Sequence, residues 1–147
     1  MEVQKSGHSV YRNQYHIVWI PKYRRRILNP GLRSYCTKVL KSELRSMPGV
    51  KLKEQTLRED HVHIVLVIPP KYRVADVIGR LKAKTAGALR DKFDWLADVY
   101  WKEDIVWSPG YFVTTFGIDE SIVLDYVRHQ ADQDHSKSIS SLHSRHT

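Results

Sequence analysis

The sequence predicts an α+β fold of the ferredoxin-like (RRM-like) split βαβ type, an antiparallel sheet with helices on one face and an additional C-terminal helix. Three observations predict it. Short β-branched and aromatic runs stop at prolines or acidic turns, two helix-spaced apolar stripes separate them, and the resulting order is β, α, β, β, α, β, α. At 147 residues, with no internal repeat, the chain is about the size of one ordinary domain.

The first strand is read in YHIVWIP, Tyr15 to Pro21, and the basic loop KYRRRI follows it. After NPG, residues Leu32, Cys36, Val39, Leu40, Leu44 and Met47 recur at helical spacing until Pro48-Gly49 ends the helix. Val50 to Leu57 alternates well enough for a second strand, and the acidic turn at Glu59 and Asp60 joins it to a third, His61 to Ile68, as a hairpin. Pro69-Pro70 stops that strand. Val74, Val77, Ile78, Leu81 and Leu89 then mark a long second helix, despite Gly87, which costs it about 1 kcal/mol. The stretch from Trp101 to Gly110 reads as a loop and GYFVTTFG as the fourth strand. Asp119 is a good N-cap for a third helix running to about Gln133. The polar end, DQDHSKSISSLHSRHT, completes the division: residues 1–133 as a single domain and 134–147 as a disordered tail.

Lys and Arg outnumber Asp and Glu by 24 to 16, a balance that favours a polyanionic partner such as nucleic acid. The one cysteine, Cys36, excludes an internal disulfide and falls on the apolar stripe of the first helix. No apolar run is long enough to cross a bilayer, and the start has no hydrophobic signal core, so the expectation is a cytoplasmic protein with no membrane partner.

Chemistry concentrates in EDHVHIVLVIPP. Period-two geometry sends His61, His63, Val65 and Val67 to one face of the third strand and Val62, Ile64, Leu66 and Ile68 to the other. Two alpha carbons about 6.5 to 7 Å apart let both imidazoles converge on one divalent cation. A bland reading competes: strand-end histidines half exposed beside Glu59 and Asp60. On the last helix Tyr126 and Gln130 are one turn apart and share a face, while Val123, Val127 and Ile118 form a separate apolar set. Gln130 can offer an amide oxygen as a third ligand, with His129 as the competing choice. Two nitrogens and an oxygen leave positions for phosphate oxygens, as Mg²⁺ or Mn²⁺ prefers, whereas a structural zinc lacks its fourth ligand. Trp19 is read as core and His16 as a packed strand residue.

Taken together, YHIVWIPKYRRRIL, EDHVHIVLVIPP, the long basic helix, WSPGYFVTTFG and YVRHQ resemble the single-tyrosine HUH transposases of the small insertion sequences, the "IS two hundred" group, also called transposase A. The resemblance runs from Tyr15 to Gln130 with its motifs in order. It implies a homodimer that cuts and rejoins single-stranded DNA at element ends marked by imperfect hairpins. It also implies that His61, His63 and Gln130 hold the metal and that Tyr126 is the nucleophile, forming a 5′-phosphotyrosine link. None of the other seven tyrosines has a ligand-capable amide one helical turn onward. Lys22, Arg24, Arg25 and Arg26 in the loop, with Arg80, Lys82 and Lys84 on the second helix, are candidate phosphate contacts. Two other readings use the same features: a replication-initiator or relaxase-type nickase, and a non-catalytic hairpin binder.

Overall fold

The computed structural model describes residues 14–137 in full, together with the backbone of residues 4–6, 9–11 and 138–146. Four strands, β3 (Gln14–Trp19), β4 (Lys51–Arg58), β5 (His61–Val67) and β6 (Phe112–Thr114), form one sheet. Its order is β4-β5-β3-β6, and each adjacent pair is antiparallel. This is the ferredoxin-like arrangement expected, with the hairpin β4–β5 as read. A separate two-stranded hairpin of β1 (Gln4–Ser6) and β2 (Ser9–Tyr11) precedes it and had no counterpart in the sequence reading. The fourth strand is only three residues long where eight were expected.

Helices α1 (Pro30–Arg45) and α2 (Val74–Lys92) cover one face of the sheet. Asn29 caps α1, its side-chain oxygen accepting from the Leu32 N–H at 2.9 Å, and Pro30 occupies the first turn, where its missing N–H costs nothing. Leu32, Cys36, Leu40 and Leu44 of α1 and Val77, Ile78, Leu81 and Leu89 of α2 meet Ile17, Trp19, Val62, Ile64 and Leu66 of the sheet in the main core. Cys36 is fully enclosed there, and burial pushes its thiol up to about 12. The turn from α1 into β4 needs Gly49, whose φ of 93° lies in the left-handed region that glycine adopts without a Cβ penalty.

A short α3 (Leu96–Val99) leads into the loop that returns to β6. The last helix, α4 (Glu120–His146), is capped by Asp119, whose carboxylate accepts from the Ile122 N–H at 3.0 Å. It lies on the sheet face opposite α1 and α2. Val123, Val127 and Ala131 pack there on Val18 and Ile20 in a second, smaller core, with Phe112, Ile118 and Tyr126 at its border. The expected end near Gln133 is corrected: α4 continues to His146, and Asp134, placed in the disordered tail by composition, is buried and hydrogen-bonded. Over residues 131–137 Ala131 and Asp134 are buried and the other five exposed, so polar residues there belong to the solvent side of a helix. Among the described residues, no helix is long and apolar enough to cross a membrane.

Candidate functional site

The face of the sheet that carries α4 is built by register. His63 pairs with Val18 and Val18 with Phe112, so all three project to the same side. His16, one pleat further along β3, also points there, and its Nδ1 lies 3.4 Å from Nε2 of His63. His16 is thus more than a packed strand residue. Only the register of two strands 47 residues apart reveals this, and composition or spacing carries no sign of it.

His61 and His63 do share a face. They form one wall of a cleft of about 620 Å³. Its cations are Arg26, Arg33 and Arg58, and its acids are Glu59, Asp60, Asp119 and Glu120 from the hairpin turn and the start of α4; Ile118 and Val123 close it on the helix side. His61 Nδ1 lies 2.9 Å from Oδ1 of Asp60, whose other oxygen accepts from Arg24 Nε at 2.8 Å. Bonds to His61 and Arg24, outweighing the opposing cost of partial burial, hold the Asp60 carboxyl below its ordinary range. Burial, with His16 and His61 as like-charge neighbours, lowers the pKa of His63 and keeps a lone pair on its ring.

Tyr126 and Gln130 are brought together, as their spacing required: the phenol donates to Oε1 of Gln130 at 3.4 Å. The Tyr126 ring packs on Phe112 with centroids 5.7 Å apart. Neither residue lines the histidine cleft, which α4 enters only as far as Val123. Gln130 lies seven residues further on, about 10 Å along the helix axis. There it is anchored to Asp134, donating Nε2–H to Oδ1 at 3.2 Å. Asp134 is 1% exposed and also accepts from the Tyr23 N–H at 3.0 Å and the Ser108 hydroxyl at 2.9 Å, with Lys22 Nζ 3.5 Å away. Burial, and secondarily the Asp134 charge, pushes the Tyr126 phenol well above its usual range, so the packed tyrosine is neutral. Gly110 passes so close that a Cβ there would sit 2.5 Å from Oε1 of Gln130. His129 is exposed on α4.

The basic positions divide. Arg25 and Arg26 are exposed, Arg25 lying over the Trp101 ring at 5.7 Å and Arg26 at the cleft, and Lys84 is exposed on α2. Arg24 is bonded to Asp60, Lys22 faces Asp134, and Arg80 forms an ion pair with Glu43 at 2.9 Å. Lys82 donates to the carbonyls of Ser108 and Gly110, both at 2.8 Å, and so staples the loop that carries them.

Burial lowers the Lys82 ammonium to about 8, with Asp134 opposing the shift. Between that value and about 10.4, the usual lysine pKa, the unfolded chain binds the extra proton, so this group makes stability rise with pH. The natural chain is therefore expected to gain stability relative to Lys82→Met between pH 8 and pH 9.5, measured by urea denaturation of both. Parallel pH profiles would contradict it.

A hairpin-edge histidine pair beside an arginine-lined cleft, with a tyrosine helix on the same open sheet face, is a site suited to nucleic-acid phosphate chemistry. Residues 9–130 match the sequence profile of the family described as "Transposase IS200 like", and the chain belongs to that family of transposases. It is 34% identical over 128 residues to the transposase for insertion sequence element IS200 of Salmonella typhimurium, spanning 87% of this chain and 83% of that one. It is 24% identical over 135 residues to the ISDra2 transposase TnpA of Deinococcus radiodurans, across 91% of this chain and 95% of that one. A crystal structure from Deinococcus radiodurans, assigned to a transposase, superimposes with a TM-score of 0.74 at 25% identity, covering 86% of this chain and 97% of that one. The structure of a REP-associated tyrosine transposase bound to a REP hairpin shares the fold, with a TM-score of 0.54 at 13% identity and coverage of 90% and 74%.

In kind the donors are two imidazoles, one already held by a carboxylate, and an amide oxygen, a mixed nitrogen–oxygen set suited to a divalent cation that completes its shell with other oxygens. Among the described residues, no group of three or more His, Cys, Asp or Glu is gathered to hold a metal.

Proposed function

We propose that this transposase cuts and rejoins single-stranded DNA at hairpin-marked element ends, acting in the cytoplasm as a homodimer with Mg²⁺ or Mn²⁺ held by His61, His63 and Gln130. The observation that carries the reading is the histidine pair at the wall of a cleft containing three arginines, on the sheet face that also bears the tyrosine helix. The cation, when bound, supplies charge to polarise the phosphate. The Tyr126 oxygen attacks phosphorus, the bond to the 3′ oxygen breaks, and a 5′-phosphotyrosine link remains beside a free 3′ hydroxyl. Because the link conserves the phosphoester, a second 3′ hydroxyl can attack it without ATP. Arg26, Arg33 and Arg58 hold backbone phosphates at the cleft. One tyrosine holds one cut end at a time, so moving an element with two ends calls for two chains. The single catalytic domain then extends past residue 133, because α4 carries the buried Asp134.

The deciding experiment uses single-stranded DNA carrying a hairpin and its flank. Mg²⁺ should permit cleavage by the natural chain and chelator should stop it. His61→Ala and His63→Ala should cleave no DNA while changing hairpin affinity by less than about tenfold, or roughly 1.4 kcal/mol. Full cleavage by either variant in Mg²⁺ would sink the metal assignment.

A further inference from the structure

We propose that two carboxylates outside the reacting set, Asp60 and Asp134, are positioning residues: each accepts from an N–H of a ligand side chain and so sets which atom of that side chain carries the lone pair for a cation. The inference rests on the reading of His61, His63 and Gln130 as metal ligands.

An ionised carboxylate only accepts hydrogen bonds. With Oδ1 of Asp60 2.9 Å from Nδ1 of His61, the proton belongs on Nδ1 and the lone pair on Nε2. Asp60 cannot rotate away, because Arg24 Nε holds its second oxygen at 2.8 Å. A side-chain amide is ambiguous in the same manner, since either end can face a pocket. Asp134 removes that ambiguity: by accepting from Nε2 of Gln130 at 3.2 Å it leaves Oε1 facing the Tyr126 hydroxyl, beside the Gly110 backbone. Asp134 and Gln130 are one turn apart on a single helix, so their bond is internal to α4.

The two carboxylates share a support. Tyr23 and Arg24 have φ of 60° and 54°, left-handed values that non-glycine residues keep only where the surroundings enforce them. Through this turn the Tyr23 N–H reaches Asp134 and the Arg24 side chain reaches Asp60. A merely solvated acid accounts for neither: Asp134 is almost completely enclosed, and Asp60 is bonded through both oxygens.

The test is Mn²⁺ affinity of the full chain bound to a hairpin-bearing single strand, read from the free Mn²⁺ signal by electron paramagnetic resonance. Asp60→Ala should weaken Mn²⁺ by about 10- to 100-fold, the usual effect of losing an outer-sphere partner, with hairpin affinity unchanged. Asp60→Asn, which keeps one acceptor oxygen for the ring, should recover part of that loss. Gln130→Glu sets two carboxylates against each other and should also weaken Mn²⁺. Exchanging the pair, Gln130→Glu with Asp134→Asn, restores one donor facing one acceptor and should recover affinity, which a purely structural role would not produce. His61→Ala is the control: unchanged Mn²⁺ affinity there overturns the metal reading itself. If His61→Ala loses Mn²⁺ while Asp60→Ala and Gln130→Glu keep it, the metal reading stands and the positioning role is overturned.

Discussion

Tyr126→Phe is expected to form no covalent adduct with DNA while folding and binding the hairpin as the natural chain does. The substitution removes one oxygen and keeps the ring, whose packing on Phe112 is preserved. The lost hydrogen bond to Gln130 is long, at 3.4 Å, so its contribution to stability is within about 1 kcal/mol. In the proposed reaction the covalent step is lost, because the phenol oxygen that joins phosphorus is gone. The assay is denaturing electrophoresis of hairpin DNA labelled on the 3′ side of the cut, with Mg²⁺ or Mn²⁺ present. A slowly migrating band should form with the natural chain and vanish with chelator or with the Phe variant. If the band survives in the variant, the nucleophile lies elsewhere; if the natural chain gives none on any cognate end, binding without cleavage is the better reading.

The second large effect is expected in mixed dimers. Within one chain, Tyr126 and Gln130 are anchored to Asp134 and stand outside the cleft lined by His61 and His63. The segment joining β6 to α4 is mostly exposed, and Gly117 within it stands in open space, so the helix has room to dock on another subunit's sheet. A Tyr126→Phe chain mixed with a His63→Ala chain should then regain one working site, although each variant alone cleaves nothing. Verified heterodimers without activity would show that each site is completed within one chain, by sliding of α4.

How far the sequence disclosed this depended on the range of each interaction. Period two placed His61 and His63 on one face, and period 3.6 placed Tyr126 beside Gln130, because both relations are set by local backbone geometry. The apolar set Val123, Val127 and Ile118 was legible for the same reason. What stayed hidden required distant partners. Arg24 meets Asp60 across 36 positions through two left-handed residues that no propensity announces. His16 meets His63 only through strand register. Asp134 was assigned to a tail because the composition after Asp132 is polar, and nothing local signals three donors converging on one buried carboxylate. Lys82 and Arg80 read as phosphate contacts from charge alone, whereas the fold gives both of them internal acceptors.

The enclosed Cys36 has a practical consequence for testing whether α4 moves. It is the chain's only thiol, and at a pKa of about 12 almost none of it is thiolate at neutral pH, so maleimides will pass it by. A cysteine introduced at exposed Ser121 on α4, paired with one at exposed Lys84 on α2, can therefore carry a donor and an acceptor dye without removing the native residue. Energy transfer between dyes on a single chain, recorded before and after hairpin DNA is added, would then report whether the tyrosine helix leaves its own sheet.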